Sequence, residues 1–154
     1  MVSIGDAFPR VKLPTLAGGE RSLAEAAARV TLVTFGHSGC GTTKLALPVV
    51  DRLAAGRSAD VEVLCVLQED AATARKLADE LSLRLPMLLD EAPYAVSAAL
   101  GLVTVPTLIT VDVDGVISNL VEGYSRLDLE ALAEPVGLTA PLFADDDGPA
   151  MRPG

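Results

Sequence analysis

The chain has 154 residues, half of them hydrophobic, enough to bury one substantial core and too few for two comfortable domains. A formal charge of −9, with 3% aromatic residues and no tryptophan, excludes nucleic acid and anionic lipid surfaces as partners, because the sequence carries neither a basic patch nor stacking platforms. No apolar run approaches the roughly 18 residues of a membrane-spanning helix, and Met1-Val2-Ser3-Ile4-Gly5-Asp6 lacks the basic start and apolar run of a signal peptide, so a cytoplasmic location is expected.

Residues 1–21 are rich in Gly, Pro and Thr and predict an extended arm with a small strand or hairpin near residues 11–13. Ser22-Leu23-Ala24-Glu25 is a capping-box pattern that opens a short helix to about residue 29. Residues 30–35 form a β-branched and apolar run, the mark of a strand buried on both faces, and the loop Gly36-His37-Ser38-Gly39 ends it. A helix is expected over residues 41–55, with Pro48 kinking it. A second buried strand follows at 61–67, an amphipathic helix at 71–83 and a short helix at 93–100. Residues 107–113 and 116–121 flank Asp114-Gly115, a hairpin turn signal, and 128–136 closes as a helix. Parallel strands joined by helices, then an antiparallel hairpin, give a three-layer α/β/α sandwich around a mixed sheet.

Only two cysteines are present, Cys40 and Cys65, too few for a disulfide framework, so free thiols are expected. Cys40 lies between a buried strand and the first turn of a helix, in Phe35-Gly36-His37-Ser38-Gly39-Cys40-Gly41-Thr42-Thr43-Lys44. Unpaired N–H groups and the helix dipole favour thiolate over thiol at that place, and a thiolate is the nucleophile. Gly39 and Gly41 leave the sulfur open to a large disulfide or a small oxidant. His37, the only histidine, is a candidate proton donor or a cation that lowers the Cys40 pKa; an ordinary exposed loop histidine is the alternative. Too few further ligands surround it for a metal site, and no cofactor is implied. Cys65, in mid-strand, reads as a small buried hydrophobe. The pairs Glu69-Asp70 and Asp90-Glu91 begin or precede helices and read as structural.

Several spacings together resemble the thioredoxin-like redoxins, including the TlpA-like thiol-disulfide oxidoreductases and the AhpC/TSA peroxidases. They are Gly5-Asp6-Ala7-Phe8-Pro9, Phe35 five positions before Cys40, Pro48 eight after it, Val105-Pro106-Thr107, and Asp112-Val113-Asp114-Gly115. The resemblance covers about residues 3–136 and implies a thioredoxin fold, with a domain over 1–136. The rest, 137–154, mixes Pro and Gly with the acidic run Asp145-Asp146-Asp147 and reads as a disordered C-terminal tail. The resemblance further implies that Pro106 is a cis-proline facing Cys40 and that Val105 offers its backbone to an extended substrate.

One departure matters. Dithiol members carry a second cysteine three residues after the first, and here that position is Thr43. Without the resolving thiol the dithiol cycle cannot close. The expected activity is therefore a monothiol oxidoreductase: Cys40 forms a mixed disulfide or a sulfenic acid and is regenerated by an external thiol such as glutathione. Thr43 is expected to hydrogen-bond the Cys40 thiolate or to be an ordinary first-turn residue. A one-cysteine peroxidase is the alternative, weakened because His37 stands where those enzymes carry Thr or Ser. A non-catalytic module that holds a peptide at Val105 and Pro106 is the third reading. Oligomeric state is left open.

Overall fold

The computed structural model describes residues 1–23, 29–143 and 149–154 of the chain. The expected helix over 22–29 and the acidic run Asp145-Asp146-Asp147 fall wholly or largely outside the described residues.

The N-terminal arm forms the expected hairpin from β1 (Lys12–Pro14) and β2 (Glu20–Ser22). Ahead of it, Phe8 N–H donates to Gly115 O at 2.9 Å and Ile117 N–H to Asp6 O at 2.9 Å, tying the arm to the central sheet. That sheet has five strands: β3 (Val30–Gly36), β4 (Val61–Leu67), β5 (Met87–Leu89), β6 (Thr107–Val111) and β7 (Ile117–Glu122), in the order β5-β4-β3-β6-β7. β3, β4 and β5 run parallel, β6 lies antiparallel to β3, and β7 antiparallel to β6. The mixed sheet and its flanking helices match the sandwich expected from the sequence.

Alternation along the strands splits the core into two layers. Leu32, Val63, Cys65 and Leu108 face one side, with α1 (Gly41–Gly56), α2 (Ala71–Leu81), α4 (Arg126–Ala131) and α5 (Ala133–Val136). Val33, Phe35, Leu64, Val66 and Ile109 face the other, with α3 (Ala95–Leu100) and the N-terminal arm. α1 runs as one helix through Pro48, which leaves the Lys44 carbonyl without its usual helical donor. α2 stops at Leu81 because Ser82 turns left-handed, with φ 54°. The closing helix divides at Leu132: Pro135 has no N–H to offer the preceding turn, so the segment breaks into α4 and α5. Asp90, buried, accepts from Val96 N–H, Ser97 N–H and Ser97 Oγ at 3.2, 2.8 and 2.7 Å, the structural role read for it.

β5 and two further elements lie outside the sequence reading. β8 (Tyr124–Ser125) follows β7 after Gly123 and pairs antiparallel with β9 (Met151–Arg152). Residues 149–154, expected to be part of a disordered tail, are placed by that pairing, with Arg126 N–H donating to Ala150 O at 2.9 Å.

Register sets the position of the site. Phe35 pairs with Thr107 and Thr107 with Glu122, so the end of β3, the start of β6 and the end of β7 lie side by side. The loops holding Cys40, Val105 and Gly123 therefore converge at one edge of the sheet.

Candidate thiol site

Cys40 is the N-cap residue of α1, with φ −101° and ψ 116°. Its carbonyl accepts from Lys44 N–H at 3.2 Å and its own N–H donates to His37 O at 3.0 Å, so the side chain leaves the backbone at the mouth of the helix. Thr42 and Thr43 are the second and third residues of α1, whose N–H groups have no partner within the helix. As a thiol, Cys40 makes no side-chain cap bond; its S–H donates to Val105 O at 3.4 Å. As a thiolate it faces a different set of groups. Partial burial opposes ionisation, but the N–H and hydroxyl of Thr43, followed by those of Thr42, outweigh it and hold the thiol below its ordinary pKa.

Thr43 is fully buried and does more than continue the helix. Its Oγ1 accepts from His37 N–H at 3.4 Å and its methyl group fills the space beside Gly36, where an added Cβ would stand 2.6 Å from Thr43 Cγ2. A hydroxyl can accept from His37 and still donate to sulfur.

The His37 ring has Gly39 and Glu69 as its partners. Its Nδ1 accepts from Gly39 N–H at 2.9 Å, which assigns the ring proton to Nε2, and Nε2 lies 3.9 Å from Glu69 Oε1. Of the structural pair Glu69-Asp70, Asp70 faces the helix start, accepting from Thr73 N–H at 2.8 Å, while Glu69 turns inward. It accepts from Ser38 N–H at 2.8 Å and from the Ser38 hydroxyl, and its Oε2 is buried without a partner among the described residues. Glu69 thus anchors the loop that carries Cys40.

On the facing side the Val105–Pro106 peptide is cis, as the resemblance implied, and Pro106 O accepts from Gly123 N–H at 2.8 Å. A shallow hollow of about 180 Å³ lies beside this loop, lined by Gln68, Leu102, Val103, Thr104 and Val105. Gly39 and Gly41, on either side of Cys40, are exposed. Cys65 is wholly buried, free and paired in register with Thr34 and Met87; burial, then the charge of Glu69, push its thiol pKa far up, and it has no surface from which to act. Among the described residues no three His, Cys, Asp or Glu side chains gather in a way that would hold a metal ion.

Sequence reasoning missed Thr42, Glu69 and the segment at 149–154. Thr42 carried a signal, its place in the first turn of the helix; for the other two the sequence gives only polarity and Pro/Gly content.

The family model described as Redoxin matches residues 3–133. Comparison with curated protein sequences gives no significant match. Among solved structures, one assigned as the thiol:disulfide interchange protein DsbE from Chlorobium tepidum superposes with a TM-score of 0.79 at 22% identity, covering 88% of this chain and 96% of that one. A thiol:disulfide interchange protein from a Bacteroides species gives 0.76 at 18%, covering 90% and 93%. StoA from Bacillus subtilis gives 0.70 at 20%, covering 82% and 96%. At these identities the likeness establishes a shared thioredoxin fold.

Proposed function

Because the chain belongs to the redoxin family, we propose that it is a thiol-disulfide oxidoreductase that works through the single thiol of Cys40. The observation that carries this reading is a cysteine at the N-cap of α1 whose thiolate is favoured by Thr43, the residue standing where dithiol relatives carry their second cysteine. The descriptions of structural neighbours as thiol:disulfide interchange proteins support the same chemistry.

The Cys40 thiolate attacks one sulfur of a substrate disulfide. That S–S bond breaks, a new one joins Cys40 to the substrate, and the departing thiolate takes a proton from water. Thr43 has no sulfur with which to attack the mixed disulfide. An external thiolate, glutathione being the chemically suitable class, attacks the substrate sulfur, expels the Cys40 thiolate and leaves as its own disulfide with the substrate. Oxidising equivalents move from substrate to external thiol, and Cys40 returns to its starting state. Val105, whose carbonyl lies 3.4 Å from Cys40 Sγ, supplies the backbone edge along which an extended protein substrate aligns its disulfide.

The test is to mix wild-type protein and Cys40→Ser with glutathione disulfide near neutral pH and weigh the intact products. One glutathione per wild-type chain, mapped to Cys40 and absent from Cys40→Ser, is the expected result. Wild-type protein that stays unmodified overturns the proposal.

A further inference from the structure

Residues 149–154 lie across the site from which Cys40 acts. Ala150 O accepts from Arg126 N–H at 2.9 Å, Met151 and Arg152 pair with Ser125 and Tyr124, and Pro153 O accepts from the Thr42 hydroxyl at 2.6 Å. Gly123, with φ 74°, closes against the same segment: a Cβ there would stand 2.9 Å from Arg152 O and 3.0 Å from Gly154 N. Arg152 reaches the other wall, where a Cβ at Gly41 would stand 2.9 Å from its Nη2. At the end of the segment Gly154 presses on the cis-proline loop, with a Cβ there 2.5 Å from Val105 O and closer still to Thr104 Oγ1. The segment therefore touches both sides of Cys40, the first turn of α1 and the loop of Val105.

We propose that residues 149–154 are a resident occupant of the substrate groove, an extended strand of the chain itself that an incoming disulfide must displace before Cys40 can attack it. This inference rests on the proposed thiol-disulfide chemistry. Two geometric facts carry it. The segment lies against Val105 O, the same carbonyl that an aligned substrate would need. It also holds the first turn of α1, where Pro153 O accepts from the Thr42 hydroxyl at 2.6 Å. Seating the segment therefore bridges the two walls of the groove, the Val105 loop and the mouth of α1.

Selection by size follows. A small reagent reaches a half-exposed thiol past a seated strand, whereas a bulky disulfide needs the groove. A segment seated for about nine-tenths of the time lowers the apparent reactivity toward a groove-requiring reagent about tenfold.

Gly154→Val tests this in the full chain, because the new side chain collides with Val105 O and Thr104 Oγ1 and leaves the core of the fold untouched. Rates of Cys40 modification are measured for wild type and Gly154→Val with iodoacetamide and with dithiobis(nitrobenzoate). In the same samples, hydrogen exchange of the Arg126 amide reports whether Ala150 still accepts from it. The expected result is faster Arg126 exchange in the variant and a ratio of disulfide rate to iodoacetamide rate about tenfold above wild type. An unchanged ratio with a reactive Cys40 overturns the occupant while leaving the thiol chemistry in place. A Cys40 inert to both reagents in both chains overturns the chemistry, and the occupant's function with it.

Discussion

Thr43→Val separates the hydroxyl at position 43 from everything else the residue does. Valine keeps the methyl group that packs beside Gly36 and the N–H at the third position of α1, and loses the group that both accepts from His37 N–H and donates to the Cys40 thiolate. A hydrogen bond to a charged acceptor contributes about 1.5–3 kcal/mol, and solvent around a half-exposed sulfur reduces that to about 1 kcal/mol. At about 1.36 kcal/mol per factor of ten, the thiolate midpoint should rise, and alkylation at pH below it should slow about fivefold. The assay is the pH dependence of iodoacetamide alkylation at Cys40, followed by intact mass, with buried Cys65 as an internal silent thiol. Because Cys40 starts below the ordinary thiol value, the wild-type profile lies at lower pH and the variant profile shifts toward the ordinary value. A midpoint that stays put or falls refutes the role given to the hydroxyl and leaves the helix N–H groups and the Thr42 hydroxyl as the source of activation.

Thr43→Cys restores a sulfur three residues after Cys40 and should create an internal disulfide that reforms after reduction, together with insulin-reducing turnover in dithiothreitol that wild type lacks; a variant without either shows that the 40–43 turn no longer supports dithiol chemistry. Glu69→Ala removes the acceptor for Ser38 N–H and the Ser38 hydroxyl and should cost about 2 kcal/mol of unfolding free energy, with Glu69→Gln losing less than half as much, as read by urea titration. Cys65 has the opposite electrostatic sign from Cys40: its folded thiol resists ionisation, so the protein loses stability as pH climbs through the ordinary thiol range, where only the unfolded chain ionises. Between about pH 8 and about pH 10 that loss is about 2 kcal/mol, and Cys65→Val should remove it from urea titrations at the two pH values. Cys40 contributes in a separate, lower window, gaining stability as pH rises from its lowered value to the ordinary one.

The parts of the fold legible in the sequence are those with a local cause. β3 and β4 are runs rich in β-branched and apolar residues, α1 starts where Cys40 ends an extended loop, and Asp114-Gly115 turns β6 into β7. β5 escaped because three residues, Met87–Leu89, are too few to show a period; the strand exists because Cys65, Val66 and Leu67 offer it a partner edge. β8 and β9 are two residues each, and their pairing depends on bringing Tyr124 and Arg152 together across 27 intervening residues, which no local pattern encodes. At the site, Cys40 and Thr43 were legible because an N-terminal turn fixes where positions one to three point. Glu69 was not, since adjacent carboxylates before a helix look alike in sequence and only the fold decides that Asp70 caps α2 while Glu69 turns inward to Ser38. His37 shows the converse: its nearness to Cys40 in sequence is real, but its ring is engaged by Gly39 and Glu69.

The most direct test of a single-thiol cycle is to follow the mixed disulfide itself. Wild-type protein is mixed with a disulfide-linked peptide, the intact mass is read over time, and glutathione is then added. The account predicts one peptide per chain at Cys40, stable until glutathione arrives and released by it to regenerate the free thiol. An adduct that dissolves before any external thiol is added, leaving a disulfide between Cys40 and Cys65, or no adduct at all, would contradict it.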